Sequence, residues 1–488
     1  MISLYDTLTA QVRPLQLREP GKACLYACGP TVYDHPHLGH ARSAITYDVL
    51  RRYLQWRGLE VCHVANITDI DDKIIARARA EGRTESEVAA EWEAVYRDVM
   101  DRLGVLRPHE QPRATEWVDA MVSFIAAIIE SDKAYTTSTG VYLRVRAVDG
   151  YGDLVKRGLD ELRASAGARV EVDDDKEDPL DFALWKAAKP GEPSWASPWG
   201  EGRPGWHIEC AAMSLGILGD GFDIHGGGND LVFPHHTNER AEALAVGRPF
   251  ARHWVHNAML NVDGAKMGKS LGNYRTVAEM LDEDPDNARA LRLLVLQTHY
   301  RKTMEVNSEL LAAARSALQR LDALARRLAA VSHLAENSPS LSAPGHSEAL
   351  GADLDAGAAA DVGGLASGHS AEEIEARFRV AMDYDLGTPE AVAVVFDALR
   401  KANAQLDASP AEGCVSARQV IDLAEALGLA AAGSRPTADA RIEELVSRRQ
   451  AARESKDWAV ADALREELRS LGVTVEDTPA GPVWRRLA

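Results

Sequence analysis

Short continuous apolar runs alternate with stretches of helical spacing along the first part of the chain. Ala23-Cys24-Leu25-Tyr26-Ala27 is apolar throughout, the pattern of a strand buried on both faces. From Ser43 to Leu54 the apolar positions recur at helical intervals. Val61 to Ile67 reads as a second buried strand, and a helix is predicted from about Lys73 to Glu81. The intervening Thr68-Asp69-Ile70-Asp71-Asp72 supplies carboxylates where a helix start is electropositive. It is read as an N-cap with first-turn acids rather than a magnesium site. Strand, helix, strand, helix is the opening of a parallel α/β sheet.

Amphipathic helices are predicted over Glu85–Leu103 and Thr115–Ser131, and a strand over Gly140–Val145. The pattern then turns irregular and acidic as far as Pro204, most densely at Val172–Pro179, and reads as an insertion into the sheet domain. Parallel-sheet patterning is expected to return with Gly205–Cys210 and Phe222–Asp230. Pro234 is expected to open a helix beginning His235-His236, followed by a strand over Trp254–Val262. From Asn287 the chain reads as helical. Ser338–Ser370 has linker composition, rich in Ala, Gly, Ser and Pro, and is expected to be flexible. Helices resume from Ala371 to Leu429. A last unit from Ala438 carries two amphipathic helices, Ile442–Arg453 and Trp458–Leu471, and an extended tail from Val473 to Trp484-Arg485-Arg486.

Composition narrows the class. A chain of 488 residues, 46% hydrophobic and 26% charged, has the make-up of a multidomain globular protein. The start lacks a basic region followed by an apolar core, so no secretory signal is expected, and Met121–Ile129 is too short to span a bilayer. The five cysteines are too scattered for a disulfide framework, which fits a reducing, cytoplasmic setting. A net charge of −19 argues against indiscriminate nucleic-acid binding, though not against a basic stripe on one face.

The candidate chemistry begins at CGPTVYDHPHLGHAR, residues 28–42, a strand end, a Gly-Pro turn and a helix start. His37 and His40 share one face of that start, beside free backbone N–H groups and the positive end of the helix dipole. Such an end cradles phosphate oxygens. Gly39 removes a side chain where a ligand would press on the backbone. Far downstream, the loop Asp263–Asn273 places Lys266 and Lys269 between glycines, suited to charge developing on a transferring phosphate. Together these two stretches resemble the signature sequences of class I aminoacyl-tRNA synthetases.

A third signal narrows the resemblance. Cys28, Cys210, His235 and Glu239 are zinc-type ligands, each expected at a strand's carboxyl end or a helix start. With CGPTVYD, NITDIDDK, GRPGWHIEC, HGGGNDLVFPHH and KMGKS, the chain is similar to the cysteinyl-tRNA synthetase family over its whole length. That resemblance implies a Rossmann-like α/β catalytic domain over 1–114 and 205–285, with a connective insertion at 115–204. A helical bundle would follow at 286–430, containing the flexible 338–370 insert, and then an anticodon-binding unit at 438–488.

It further implies ATP-dependent activation of L-cysteine and its transfer to tRNA(Cys), with one Zn²⁺ per chain and Mg²⁺ accompanying ATP. His37 and His40 would hold ATP phosphates, Lys266 and Lys269 would stabilise the reacting α-phosphate, and Gly228 and Asp230 would face ribose and adenine. Trp206, Thr31 and His225 would border the amino-acid pocket. Arg453, Trp458, Asp462 and Asp477 would read the anticodon. The chain departs from the family at Gly268, where serine is usual, and at Gly387, where asparagine is usual. Zinc suits the substrate: cysteine and serine differ by one atom, and a soft metal binds the thiolate that serine cannot supply. No editing domain is then needed, and the insertion at 115–204 is too short for one. The other readings are a cysteine ligase of mycothiol biosynthesis, which lacks an anticodon-reading end, and a silent tRNA-binding paralogue. A cytoplasmic monomer without membrane association is expected.

Overall fold

The computed structural model describes residues 1–166, 175–266, 276–336, 371–429, 439–454, 457–470, 473–478 and 481–486. A short antiparallel hairpin, β1 (Ser3–Asp6) and β2 (Gln11–Pro14), precedes the first buried strand, β3 (Lys22–Ala27). Helix α1 (Leu38–Trp56) leads to β4 (Glu60–Ala65), and helices α2 (Asp72–Glu81) and α3 (Glu85–Arg102) follow. Asp71 caps α2 by accepting a hydrogen bond from the Lys73 N–H. Asp72 pairs with Lys186 and Arg203, and Asp69 accepts two hydrogen bonds from Thr115. These carboxylates therefore cap and brace.

Helix α4 (Val118–Glu130) opens the insertion within the expected 115–131, and the stretch from there to Pro204, expected to be irregular, differs from that reading. Strands β5 (Ala134–Thr136), β6 (Gly140–Leu143), β7 (Phe182–Ala187) and β8 (Gly202–Pro204) form a four-stranded antiparallel sheet, with α5 (Leu159–Ala166) between β6 and β7. Strand β6 falls within the expected Gly140–Val145; β5, β7 and β8 escape a pattern search because they are short, and β7 pairs with β6 across some forty residues. The acidic character of the neighbouring chain is offset by Arg144 on Glu177 and Arg146 on Asp178.

The second difference is Gly205–Cys210, expected within the sheet. Trp206–Leu218 is a helix, α6, whose side chains are buried on nearly all sides. A helix apolar all round gives no amphipathic signal, and its first turn alone cannot be told from a buried strand. Strand β9 (Ile224–Gly228) follows as expected. Two irregular turns then cover residues 229–236, and α7 (Thr237–Ala245) starts later than Pro234. The expected strand at 254–262 is two, β10 (His253–Asn257) and β11 (Leu260–Val262).

The central sheet is four-stranded and parallel, in the order β10-β9-β3-β4. Its two faces bury separate cores. On one side α4, α6 and α7 contribute Phe124, Ile208, Met213 and Ala241. On the other, α1 packs with α8 (Val277–Glu283) and α9 (Asn287–Gln297), which follow the two-residue strand β12 (Ala265–Lys266). Strand β13 (Met304–Val306) joins β11 and β12 in a small sheet. Helices α10 (Ser308–Glu336), α11 (Ala371–Asp383), α12 (Thr388–Ala408) and α13 (Pro410–Ala426) complete the same core through Leu318, Phe378, Val395 and Leu423. Segment 286–430, expected as a helical bundle, thus shares its core with the face of the sheet that α1 covers. The Ser338–Ser370 stretch lies outside the described residues.

By its packing the chain forms two units, residues 1–429 and 430–488. The second contains α14 (Asp439–Glu454), α15 (Trp458–Ser470) and a hairpin of β14 (Val473–Thr478) and β15 (Gly481–Arg486). Its core is Ile442, Leu445, Val446, Leu464, Leu468 and Val473. Among the described residues no helix is long and apolar enough to cross a membrane.

Candidate active site

A cavity of about 380 Å³ opens at the carboxyl edge of the parallel sheet, where α/β folds place their ligands. Its wall includes Cys28, Thr31, His37, His40, Trp206, Cys210, Gly228, Asp230 and His235. The chain brings them there from three stretches: the turn after β3 with the start of α1, the start of α6, and the end of β9 with the segment leading to α7.

His37 is the N-cap of α1. Its Nδ1 accepts from the His40 N–H at 3.3 Å, and the His40 Nδ1 accepts from the His37 N–H at 3.2 Å. An imidazole that accepts through Nδ1 carries its proton on Nε2 when neutral. Burial, followed by the charge of His37, holds the His40 ring down to about 3, so it is neutral and a donor through Nε2. The rings stack with centroids 3.7 Å apart. Gly39 is needed for this arrangement, since a Cβ there would lie 2.9 Å from the His37 ring. The missing side chain makes room for an imidazole.

The four expected metal ligands converge. Cys28 Sγ lies 3.8 Å from Cys210 Sγ and 3.6 Å from Glu239 Oε1, and His235 Nε2 lies 2.9 Å from Glu239 Oε1. One ligand atom from each falls within 4.8 Å of every other. Cys210 is on the second turn of α6, not at the end of a strand, and Glu239 is in the first turn of α7. A tetrahedral ion with sulfur ligands at about 2.3 Å separates two sulfurs by about 3.8 Å, so the cysteine spacing fits zinc. Burial alone would raise the Glu239 carboxyl, but His235 and His225 hold it well below the usual range. Burial opposes charge on His235 too, yet Glu239 and Cys210 lift it to about 10. Burial and the neighbouring Cys210 push the Cys28 thiol well up.

A second overlapping set, Cys28, His225, His236 and Glu239, also falls within 4.8 Å. These imidazoles have other engagements. His225 Nε2 sits 2.6 Å from Glu239 Oε2, and His236 Nδ1 lies 2.8 Å from His256 Nε2. His256 Nδ1 continues to Thr7 Oγ1 at 2.7 Å. His225, expected in the amino-acid pocket, is fully buried behind Glu239 and does not border the cavity. His236, His256 and Thr7 were not singled out by sequence reasoning; the His235-His236 doublet was the available signal.

Trp206 is 37% exposed and stacks on His235. Thr31 forms a backbone bridge with Thr68. Lys266 ends β12, and Lys269 lies outside the described residues. In the second unit, the Arg453 guanidinium lies 6.0 Å from the centre of the Trp458 indole, which is 58% exposed. Asp462 is exposed and pairs with Arg465, and Asp477 belongs to β14.

A family model for "tRNA synthetases class I (C) catalytic domain" matches residues 14–316. A "DALR domain" matches 377–431, and a "Cysteinyl-tRNA ligase anticodon binding domain" matches 435–485. Among solved structures, the fold resembles a Mycobacterium tuberculosis methionyl-tRNA synthetase in complex with methionyl-adenylate. The TM-score is 0.56 and the identity 14%, over 84% of this chain and 90% of that one. Sheet, helix start and family model together make this a class I aminoacyl-tRNA synthetase. The cysteine--tRNA ligase of Symbiobacterium thermophilum is 43% identical over 99% of both chains. That of Methylococcus capsulatus is 43% identical over the full length of both. The chain belongs to the cysteine--tRNA ligases.

Proposed function

We propose that this site activates L-cysteine with ATP to cysteinyl-adenylate and passes the cysteinyl group to tRNA(Cys), selecting the thiol through a zinc ion. The convergence of Cys28, Cys210, His235 and Glu239, the first three of which border the cavity, carries this reading. Two sulfurs, an imidazole and a carboxylate suit Zn²⁺, and we prefer this set because it holds both cysteine sulfurs and because Cys28, Cys210 and His235 border the cavity, whereas His225 and His236 do not. When bound, the ion would supply an acid that favours a thiolate over a hydroxyl.

The chain's own groups then divide the work. His37 and His40, donating through Nε2, hold ATP phosphate oxygens at the amino end of α1. Gly228 and Asp230 face the ribose and adenine, with Mg²⁺ accompanying the phosphates. Lys266 and Lys269 stabilise charge on the α-phosphate during adenylate formation. Trp206 covers the amino-acid pocket beside Thr31, and His225 holds Glu239 from behind. Arg453, Trp458, Asp462 and Asp477 read unpaired anticodon bases, by stacking on the indole and hydrogen bonding to base edges. The enzyme works as a cytoplasmic monomer.

Relatives matched from end to end, anticodon-binding domain included, favour a tRNA ligase over a cysteine ligase acting on a small amine. The test is cysteine-dependent ATP–pyrophosphate exchange, followed by charging of a purified tRNA pool. Exchange with cysteine and not serine, and charging of tRNA(Cys) alone, is expected. Exchange without charging would sink the tRNA assignment.

A further inference from the structure

Three buried polar side chains, of which Thr68 also borders the cavity, have no part in the chemistry so far described. Asn66 and Glu209 are 1% exposed and Thr68 is 2% exposed. Buried polar groups carry a cost unless their hydrogen bonds are made, and here each is made in a single file. The Gly29 N–H donates to Asn66 Oδ1 at 2.8 Å. Asn66 Nδ2 donates to Thr68 Oγ1 at 3.2 Å, and the Thr68 hydroxyl donates to Glu209 Oε2 at 2.9 Å.

The two ends of this file are the residues next to the two cysteines. Gly29 follows Cys28, and Glu209 precedes Cys210. The gap between Cys28 Sγ and Cys210 Sγ, 3.8 Å, closes the file into a ring. The ring joins pieces that covalent structure holds far apart: the turn after β3, the continuation of β4 and helix α6. Backbone contact tightens one side of it. Thr68 N–H donates to the Pro30 carbonyl, Val32 N–H to the Thr68 carbonyl, and a Cβ on Gly29 would fall 1.6 Å from the Asn66 oxygen. On the other side, among the described residues no backbone hydrogen bond joins segment 66–68 to α6, so the Thr68–Glu209 bond is the polar link that fixes the helix to the turn.

We propose that Asn66, Thr68 and Glu209 are positioning residues that set the separation of the Cys28 and Cys210 sulfurs, and through it the grip on zinc and on the substrate thiol. The proposal rests on the zinc reading above. Severing the file lets α6 and the 28–31 turn settle independently, and the sulfurs lose the spacing that a tetrahedral ion requires. Glu209 acts here as a hydrogen-bond acceptor, so a neutral isostere keeps the file intact.

The experiment compares wild-type protein with Asn66→Ala, Glu209→Ala and Glu209→Gln. Zinc retention is measured by competition with a chelator, and the Co²⁺-substituted proteins are read by their thiolate-to-cobalt absorption. Glu209→Ala and Asn66→Ala are expected to release zinc about 10- to 100-fold more readily, as partners behind metal ligands commonly do. Their thiolate-to-cobalt band should shift and the KM for cysteine should rise in parallel, with the KM for ATP within about twofold of wild type. Glu209→Gln should keep the wild-type band and metal retention. Wild-type metal retention in both alanine variants would overturn the proposal, and so would a Glu209→Gln protein as leaky as Glu209→Ala. Equal rises in both KM values, with the cobalt band unmoved, would mean a merely structural role and overturn it too. A wild-type protein that binds neither ion refutes the zinc reading itself, a result distinct from these.

Discussion

The indole of Trp206 lies nearly flat on the imidazole of His235, with ring centroids 4.0 Å apart and planes inclined by 17°. One wall of the cavity therefore rests directly on a proposed metal ligand. Aromatic stacking of this kind is worth about 0.5–1.5 kcal/mol beyond burial. Trp206→Ala is accordingly expected to raise the KM for cysteine about three- to tenfold, with Trp206→Phe closer to wild type. The lost stack should lower the melting temperature only modestly, because the indole is partly exposed. An unchanged KM in a folded Trp206→Ala protein would remove Trp206 from the pocket.

Metal analysis of protein purified with zinc present should give one zinc per chain, and Cys210→Ser should lose it. Chelation is expected to raise the KM for cysteine far more than that for ATP, because the proposed metal ligands and the helix start proposed to hold phosphate are separate groups. Zinc content unaffected by Cys210→Ser would contradict the assignment.

Lys269→Ala should lower kcat for adenylate formation by roughly 30- to 1,000-fold, the loss of about 2–4 kcal/mol expected for one charge-stabilising group. Cysteine affinity should stay close to wild type. Steady-state pyrophosphate exchange checks this; a defect confined to ATP binding would assign the lysine to the ground state.

Trp458 stands exposed beside Arg453, so its loss should not unfold the second unit. Base stacking on an aromatic is worth about 1–3 kcal/mol. Trp458→Ala should therefore weaken charging by about one to two orders of magnitude, leaving tRNA-independent exchange untouched. Side-by-side charging of matched and anticodon-altered tRNAs decides the point, since intact discrimination would make Trp458 a bystander.

The remaining prediction concerns stability. Asp48 on α1 is fully buried and bonds Arg292 of α9 at 2.5 Å, Arg52 at 2.8 Å and the Leu106 N–H at 2.8 Å. Burial alone would raise its carboxyl, but Arg292 and Arg52 hold it below the ordinary value. A carboxyl lowered in the folded state adds stability above its unfolded pKa of about 3.9 and loses it as pH falls through the folded value. Asp48→Asn should thus cost about 3–5 kcal/mol near neutrality, as broken buried pairs do. The gap from wild type should narrow below about pH 4. Denaturant melts across pH test both halves of this statement.

Sequence reading reached the parallel α/β class because Ala23–Ala27 and Val61–Ile67 are apolar runs that any buried strand would show. It mistook the first turn of α6 for sheet, since Trp206 to Cys210 carries no periodicity that separates the two. In the insertion it reached β6, expected at Gly140–Val145, and passed over β5, β7 and β8, which are three to six residues long. At the site, Cys28, Cys210, His235 and Glu239 could be singled out by their chemistry, and the structure brings their ligand atoms together. The file through Asn66, Thr68 and Glu209 was invisible. Asparagine, threonine and glutamate read as surface residues until tertiary packing encloses them. Thr7 and His256 were hidden for the same reason, being 249 residues apart in sequence.

The middle of the central sheet is closed by β3 pairing with β9, although some two hundred residues are made between them. A ribosome extrudes the chain from its amino end, so Cys28 waits for Cys210, His235 and Glu239 through the synthesis of the whole insertion. Closing so long a loop has an entropic cost that grows as about (3/2)RT ln n, and the antiparallel sheet at 134–204 shortens the effective span by folding within it. Because its helix α4 packs on α6, cutting the insertion back to a flexible linker would also loosen the helix that carries Cys210.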